Sequence, residues 1–240
     1  MEELIARLKE NADKVRANIE QAAREAGTDP SGITLVGVSK VFPVEYAEAA
    51  VRGGLNDLGE NRVQELVPKI DALDSLGLHP NWHLIGTLQR NKVKYIIGKT
   101  YLIHSVNTLE LAQEISKRSI AEGIVTDILL QGNISGEESK HGFAPGELKA
   151  AVEAVSGLEG VRLRGLMTMA PIETAPGQAR PVFEKTRKLF DELKAEVKDA
   201  SSWDTLSMGM SGDYKEAILE GSNCIRVGTA IFGDRRALQG

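Results

Sequence analysis

Lys40 ends the run ITLVGVS and is followed three residues later by Pro43. A lysine amine that sheds its proton attacks a carbonyl carbon to give a Schiff base, and burial favours that neutral form. Two later stretches suit an anion. In MGMSGDYKEAI, Ser211, Gly212 and Asp213 stand just before a helical segment, where a hydroxyl and exposed backbone N–H groups meet. In IRVGTAIFG, Gly228 and Thr229 close an apolar run. Singly these are a solvated cation, a helix cap and a turn. Together they describe a site for an aldehyde bearing a phosphate, either a substrate, as in a Schiff-base aldolase, or a pyridoxal cofactor. Arg226 alternates with Ile225 and Val227 and so points away from them. It is either half of a structural ion pair, with Glu60 a candidate partner, or a permanent donor to a pyridine nitrogen, which it would keep unprotonated.

The surrounding pattern supplies elements able to hold these groups. Leu4, Leu8, Ala12, Val15, Ile19 and Ala22 recur at helical spacing, so the chain should open with an amphipathic helix. After Gly27, short apolar runs alternate with charge-rich helical segments, without a break in composition. Eight strand candidates emerge, at 33–39, 56–61, 82–87, 101–106, 126–133, 161–169, 204–211 and 224–232. Pro43 suits the start of the first crossover helix and Gly53 and Gly54 its end, while Asn107 and Glu110 suggest a capping box on a later one. Buried strands joined by right-handed crossovers close into a barrel, so the expected fold is α/β, a single (β/α)8 TIM barrel with an extra N-terminal helix, over residues 1–240 as one domain. Lys40 and Gly228–Thr229 then fall at strand C-termini, the functional mouth of such barrels.

Composition removes several classes of function. The 240 residues are 42% hydrophobic and 26% charged, ordinary for a globular protein, and the net charge of −5 argues against a nucleic-acid partner. The acidic N-terminus precedes no apolar run long enough for a signal core or membrane helix, so the expectation is a cytoplasmic protein with no membrane association. Cys224, the single cysteine, suits a small buried hydrophobe. The four histidines show no metal-ligand spacing; His83 and His104 fit barrel packing. The Gly-Lys-Thr of IIGKT lacks the glycine a phosphate loop requires, because Val93 stands in its place. Met167 and Met169 fit core filling, and Pro171–Pro181 is either a flap or a plain surface loop.

LVGVSK, LGENRVQE, WHLIGTLQRNK, HGF at 141–143, GLMTM, LSMGMSGD and IRVGTAIFG, in that order, resemble the pyridoxal-phosphate homeostasis protein family across nearly the whole chain. The resemblance implies the fold of the alanine racemase N-terminal barrel, the fold-type III class. It implies pyridoxal 5'-phosphate held covalently on Lys40, its phosphate on Ser211, Gly228 and Thr229, Arg226 at the pyridine nitrogen and Asn61 near the ring. It implies a non-catalytic protein that binds, stores or delivers the cofactor, with apo-enzymes as transient recipients. A monomer is expected of a self-contained barrel. A racemase of this fold needs a second β-domain with an acid/base, for which Tyr214, His83 or a partner chain would have to substitute. That enzyme and the aldolase are the alternatives.

Overall fold

The computed structural model describes residues 1–137, 141–171 and 177–234. Eight parallel strands, β1 (Thr34–Val38), β2 (Asp57–Glu60), β3 (Asn81–Leu84), β4 (Leu102–Val106), β5 (Thr126–Gln131), β6 (Val161–Met167), β7 (Thr205–Ser207) and β8 (Cys224–Val227), follow one another in a closed barrel, with β8 paired back onto β1. The helices are α1 (Glu2–Glu25), α2 (Val44–Arg52), α3 (Val63–Ser75), α4 (Leu109–Ala121), α5 (Leu148–Ser156), α6 (Arg180–Leu193), α7 (Tyr214–Leu219) and α8 (Thr229–Phe232). A 3-10 helix, Arg90–Tyr95, serves as the crossover between β3 and β4.

The eighth helix explains the first. Only four residues long, α8 leaves the outside of β8 and β1 thinly covered, and α1 fills that space by packing on α2, α7 and α8. Its stripe is Leu8, Ala12, Val15, Ile19, Ala22 and Ala23, all buried, with Leu4 half-buried at the edge. Asn11 Nδ2 donates to the Ile231 carbonyl (2.9 Å) and Asn18 Nδ2 to the Tyr214 hydroxyl (3.0 Å), fixing the seam.

Three local expectations are corrected. The run 224–232 is strand only to Val227; TAIF is the helix α8, because the chain turns at Gly228. The segment 204–211 is strand only over Thr205–Ser207. At Gly209, with φ of +95°, the backbone turns towards α7 so closely that a Cβ would meet Ala217 and Tyr214. The α4 cap is Thr108 in place of Asn107, its hydroxyl accepting from the Leu111 N–H (3.2 Å). Gly54, at φ +89°, supplies the left-handed end of α2 as anticipated. Most of the core lies between the barrel wall and its helices; a small apolar cluster of Leu102, Leu129 and Met167 fills part of the interior. Beside it the interior also holds the buried polar side chains His83, His104, Ser207 and Arg226, which lead to the mouth.

Candidate functional site

A cavity of about 410 Å³ opens at the C-terminal ends of the strands. Lys40, Asn61, Ser211, Arg226, Gly228 and Thr229 all line it. They come from the ends of β1, β2, β7 and β8, which the barrel closure makes neighbours. Ile85, Thr87, Gln131, His141, Met169 and Met210 complete much of its wall, and none of these is among the site residues expected from the sequence.

Lys40 is braced on both sides. Behind β1, Ser39 is buried and its hydroxyl donates to Glu60 Oε1 (2.6 Å); Lys69 from α3 reaches the same oxygen (2.5 Å) and the Ser39 carbonyl (2.8 Å). Glu60 therefore pairs with Lys69 on the outside of the barrel and not with Arg226 inside it, because Asp57, Gly59 and Asn61 take the inward positions of β2 and its end. Burial raises the Glu60 pKa against the opposing pull of Lys69 and Ser39. On the other side, Val41 adopts φ of +64°, a conformation costing a β-branched residue about 1–3 kcal/mol. Glu65 holds it there by accepting its N–H (2.8 Å). Thus Glu60, Glu65 and Lys69, all within or just after LGENRVQE, fix the backbone that carries the lysine of LVGVSK.

The two anion-suited loops meet directly, since the Gly228 N–H donates to Ser211 Oγ (3.1 Å). Asp213 shapes the first loop by accepting from the Met210 N–H (2.5 Å). The loops after β2 and β3 also touch: a Cβ on Gly86 would collide with the backbone of Asn61. Gly86→Ala is accordingly expected to displace Asn61 and to cost about 2 kcal/mol, measurable by thermal unfolding of the cofactor-free protein.

HGF has a structural reason. Phe143 bridges to Gly132 at the end of β5, and Gln131 Nε2 donates to the His141 carbonyl (2.9 Å), which brings His141 to the mouth. Gly142, at φ +131°, lies so close to Gln131 and Gly132 that no side chain fits. The methionines divide: Met167 is interior filling, whereas Met169 lines the cavity. Tyr214, a candidate acid/base, is buried with its hydroxyl bonded to Asn18 on α1, and neither it nor His83 lines the cavity. Within Pro171–Pro181, read as a flap or a plain surface loop, residues 172–176 lie outside the described residues, as do 235–240.

Arg226 is buried, donating through Nη1 to Ser207 Oγ (2.5 Å) and through Nη2 to the Thr168 carbonyl (2.9 Å). Burial lowers its pKa, opposed by Cys224 and Asp213. His104, bonded to Ser207 (2.8 Å), has a pKa held well below the imidazole range by burial, then by His83 and Arg226. The sign follows: on acidification below about pH 6.5 the unfolded chain protonates this histidine while the folded chain does not. Stability is then lost at about 1.4 kcal/mol per pH unit from this group. Urea unfolding between pH 7 and 5 should show this slope and His104→Gln should reduce it. Burial also pushes the Cys224 thiol up to about 11. Among the described residues no cluster of three or more His, Cys, Asp or Glu could hold a metal, and no helix is long and apolar enough to cross a membrane.

A closed parallel barrel with a lysine just past its first strand and two hydrogen-bonded polar loops after its last two carries a cavity of small-molecule size at the C-terminal ends of its strands. The alanine racemase N-terminal domain family matches residues 11–236. The pyridoxal phosphate homeostasis protein of Aquifex aeolicus (strain VF5) is 44% identical over 227 residues, spanning 95% of this chain and 98% of the relative. That of Escherichia coli (strain K12) is 38% identical over 226 residues, spanning 94% and 95%. The structure of PipY from Synechococcus elongatus PCC7942 with PLP bound is similar at a TM-score of 0.76, with 33% identity over 90% of this chain and all of that one. An alanine racemase of Clostridium difficile 630 shares the barrel alone, at 17% identity and a TM-score of 0.71, over 95% of this chain but 57% of its own. The chain belongs to the pyridoxal phosphate homeostasis protein family, within the wider alanine racemase N-terminal-domain family.

Proposed function

We propose that this protein binds pyridoxal 5'-phosphate and serves the cellular balance of that cofactor, as a binder, store or donor, without turning over a substrate of its own. The observation that carries it is the convergence on one cavity of a strand-terminal lysine, a hydroxyl and amide cradle, and a buried arginine with N–H groups beyond those given to Ser207 and Thr168. These residues fit the group by chemistry and by size, a cavity of about 410 Å³ falling among small-molecule sites. Lys40 would hold the aldehyde carbon covalently, Ser211, Gly228 and Thr229 would take the phosphate, Arg226 would donate to the pyridine nitrogen, and Asn61 would lie beside the ring. When bound, the cofactor supplies an electrophilic carbon for primary amines. Arg226 would donate to the ring nitrogen without releasing a proton to it, which would leave the ring a weak electron sink and suit retention over turnover. The proposal takes 1–240 as one cofactor-binding domain, monomeric and cytoplasmic, that hands its ligand transiently to apo-enzymes.

A racemase is the second reading, favoured by His141, a titratable side chain at the mouth besides Lys40. The deciding experiment is an absorption spectrum of freshly purified protein before and after borohydride, with mass mapping of the modified peptide and a racemisation assay. A chromophore trapped on Lys40 without racemisation is expected. Racemisation would move the protein among the enzymes. Failure to take up pyridoxal phosphate, with aldol activity present, would favour the aldolase.

A further inference from the structure

A chain of hydrogen bonds crosses the barrel interior from the first residue of β2 to the third of β8. Arg226 Nη1 donates to Ser207 Oγ, and that oxygen lies 2.8 Å from His104 Nδ1. His104 Nε2 lies 2.9 Å from His83 Nδ1, and His83 Nε2 lies 3.1 Å from Asp57 Oδ1. His83, His104, Ser207 and Arg226 are buried, and the proposed function gives the first three no task.

The sense of the chain follows from counting protons. A guanidinium can only donate, so Ser207 accepts from it and has its hydroxyl proton free for His104. An imidazole accepting at Nδ1 carries its proton on Nε2, which makes His104 the donor to His83 Nδ1. His83 then carries its proton on Nε2 and donates to the Asp57 carboxylate, which only accepts. Every link runs the same way, from a cation at the mouth to an anion at the far end. Reversing one link alone would set two protons or two lone pairs face to face. Chains of this kind polarise each member in turn.

Asp57 sits at the opposite end of the barrel from the mouth. It also accepts from Asn81 Nδ2 (3.0 Å), and it borders a second cavity, of about 520 Å³, between α1 and the starts of β1 and β2. The carboxylate is thus reached from the side of the barrel that the cofactor does not use.

We propose that Ser207, His104, His83 and Asp57 are positioning residues for Arg226: together with the Thr168 carbonyl they commit its downward N–H groups, fix which ones face the mouth, and let the charge at Asp57 bear on how strongly those donate. This rests on pyridoxal phosphate occupying the mouth with its ring nitrogen at Arg226.

The test uses histidine labelled with 15N in the full chain, first without cofactor and then during titration with pyridoxal phosphate followed by absorption. In the wild-type protein both rings should be neutral with the proton on Nε2. Ser207→Ala should move the His104 Nδ1 resonance away from its hydrogen-bonded position, weaken pyridoxal phosphate binding about fivefold to tenfold, and shift the visible band of the loaded protein. Ser207→Thr, which keeps the hydroxyl, should restore all three. Asp57→Asn keeps an oxygen acceptor for His83 but loses the charge, and should shift the band from the far end of the barrel. A proton on Nδ1 of either ring, or a doubly protonated ring, overturns the directed chain. Wild-type band and affinity in both Ser207→Ala and Asp57→Asn overturn the positioning role. If the wild-type protein takes up no pyridoxal phosphate, the proposed function fails, while the cofactor-free spectra still uphold or overturn the chain itself.

Discussion

Lys40→Ala is expected to abolish covalent retention of pyridoxal phosphate and to leave weak, reversible binding, poorer by about 100-fold or more, roughly 3 kcal/mol. On the proposed function the residual binding would come from Ser211, Gly228 and Thr229, which line the cavity from other strand ends. The fold should tolerate the change, because the braces on this segment run through Ser39, its carbonyl and the Val41 N–H, not through the Lys40 amine. Unfolding of the cofactor-free variant should therefore match wild type within about 0.5 kcal/mol. Dialysis, borohydride trapping and titration measure the three quantities. Trapping of full strength in the variant would transfer the anchor to another lysine. Among the described residues no other lysine lines the cavity, and Lys69, the buried one nearby, is occupied by Glu60 and the Ser39 carbonyl.

The barrel was legible because its signals are local and repeated. Strands such as β1, β4 and β5 are short, largely apolar runs set between helical segments, and the amphipathic stripe from Leu8 to Ala22 has one period throughout. Where the expectations slipped, backbone turns decided the outcome. Nothing in TAIF distinguishes a continuing strand from a helix until the turn at Gly228 is known, and one residue separates Asn107 from the true cap Thr108. The site residues were legible by type, since lysine, arginine and an SGD or GT turn carry recognisable chemistry. Ile85, Gln131 and Met169 have no such signature; they line the cavity only because closure brings these positions, 38 or more residues apart, onto one rim. Glu60 shows the opposite error. Its chemistry made it a plausible partner for Arg226, but inward and outward positions alternate along β2, and it faces α3.

That outward pair should dominate stability. Lys69 and Glu60 are 7% and 0% exposed in their side chains and 2.5 Å apart, and Glu60 Oε2 is already buried without a hydrogen-bond partner. Lys69→Met removes the cation and leaves the carboxylate uncompensated in the same dry space, a loss of about 3–5 kcal/mol. At about 2–4 °C per kcal/mol for a chain of this size, Tm should fall by roughly 10 °C. Adding Glu60→Leu should recover most of it, since a buried pair replaced on both sides by apolar groups of similar volume is often close to neutral. The single variant's deficit should be largest at neutral pH and shrink towards pH 4–5. Burial raises the folded pKa of Glu60 above its unfolded value, so protonation favours the folded state and that contribution is lost as pH rises through the folded pKa. Ser39 would lose one of its two supports, and covalent retention on Lys40 should weaken in parallel with stability. Thermal and urea unfolding of the single and double variants across pH provides the measurement. A loss below about 1 kcal/mol in Lys69→Met would mean that desolvation already cancels the attraction of the pair. The lysine's backbone would then be held chiefly by the strut from Glu65 to Val41.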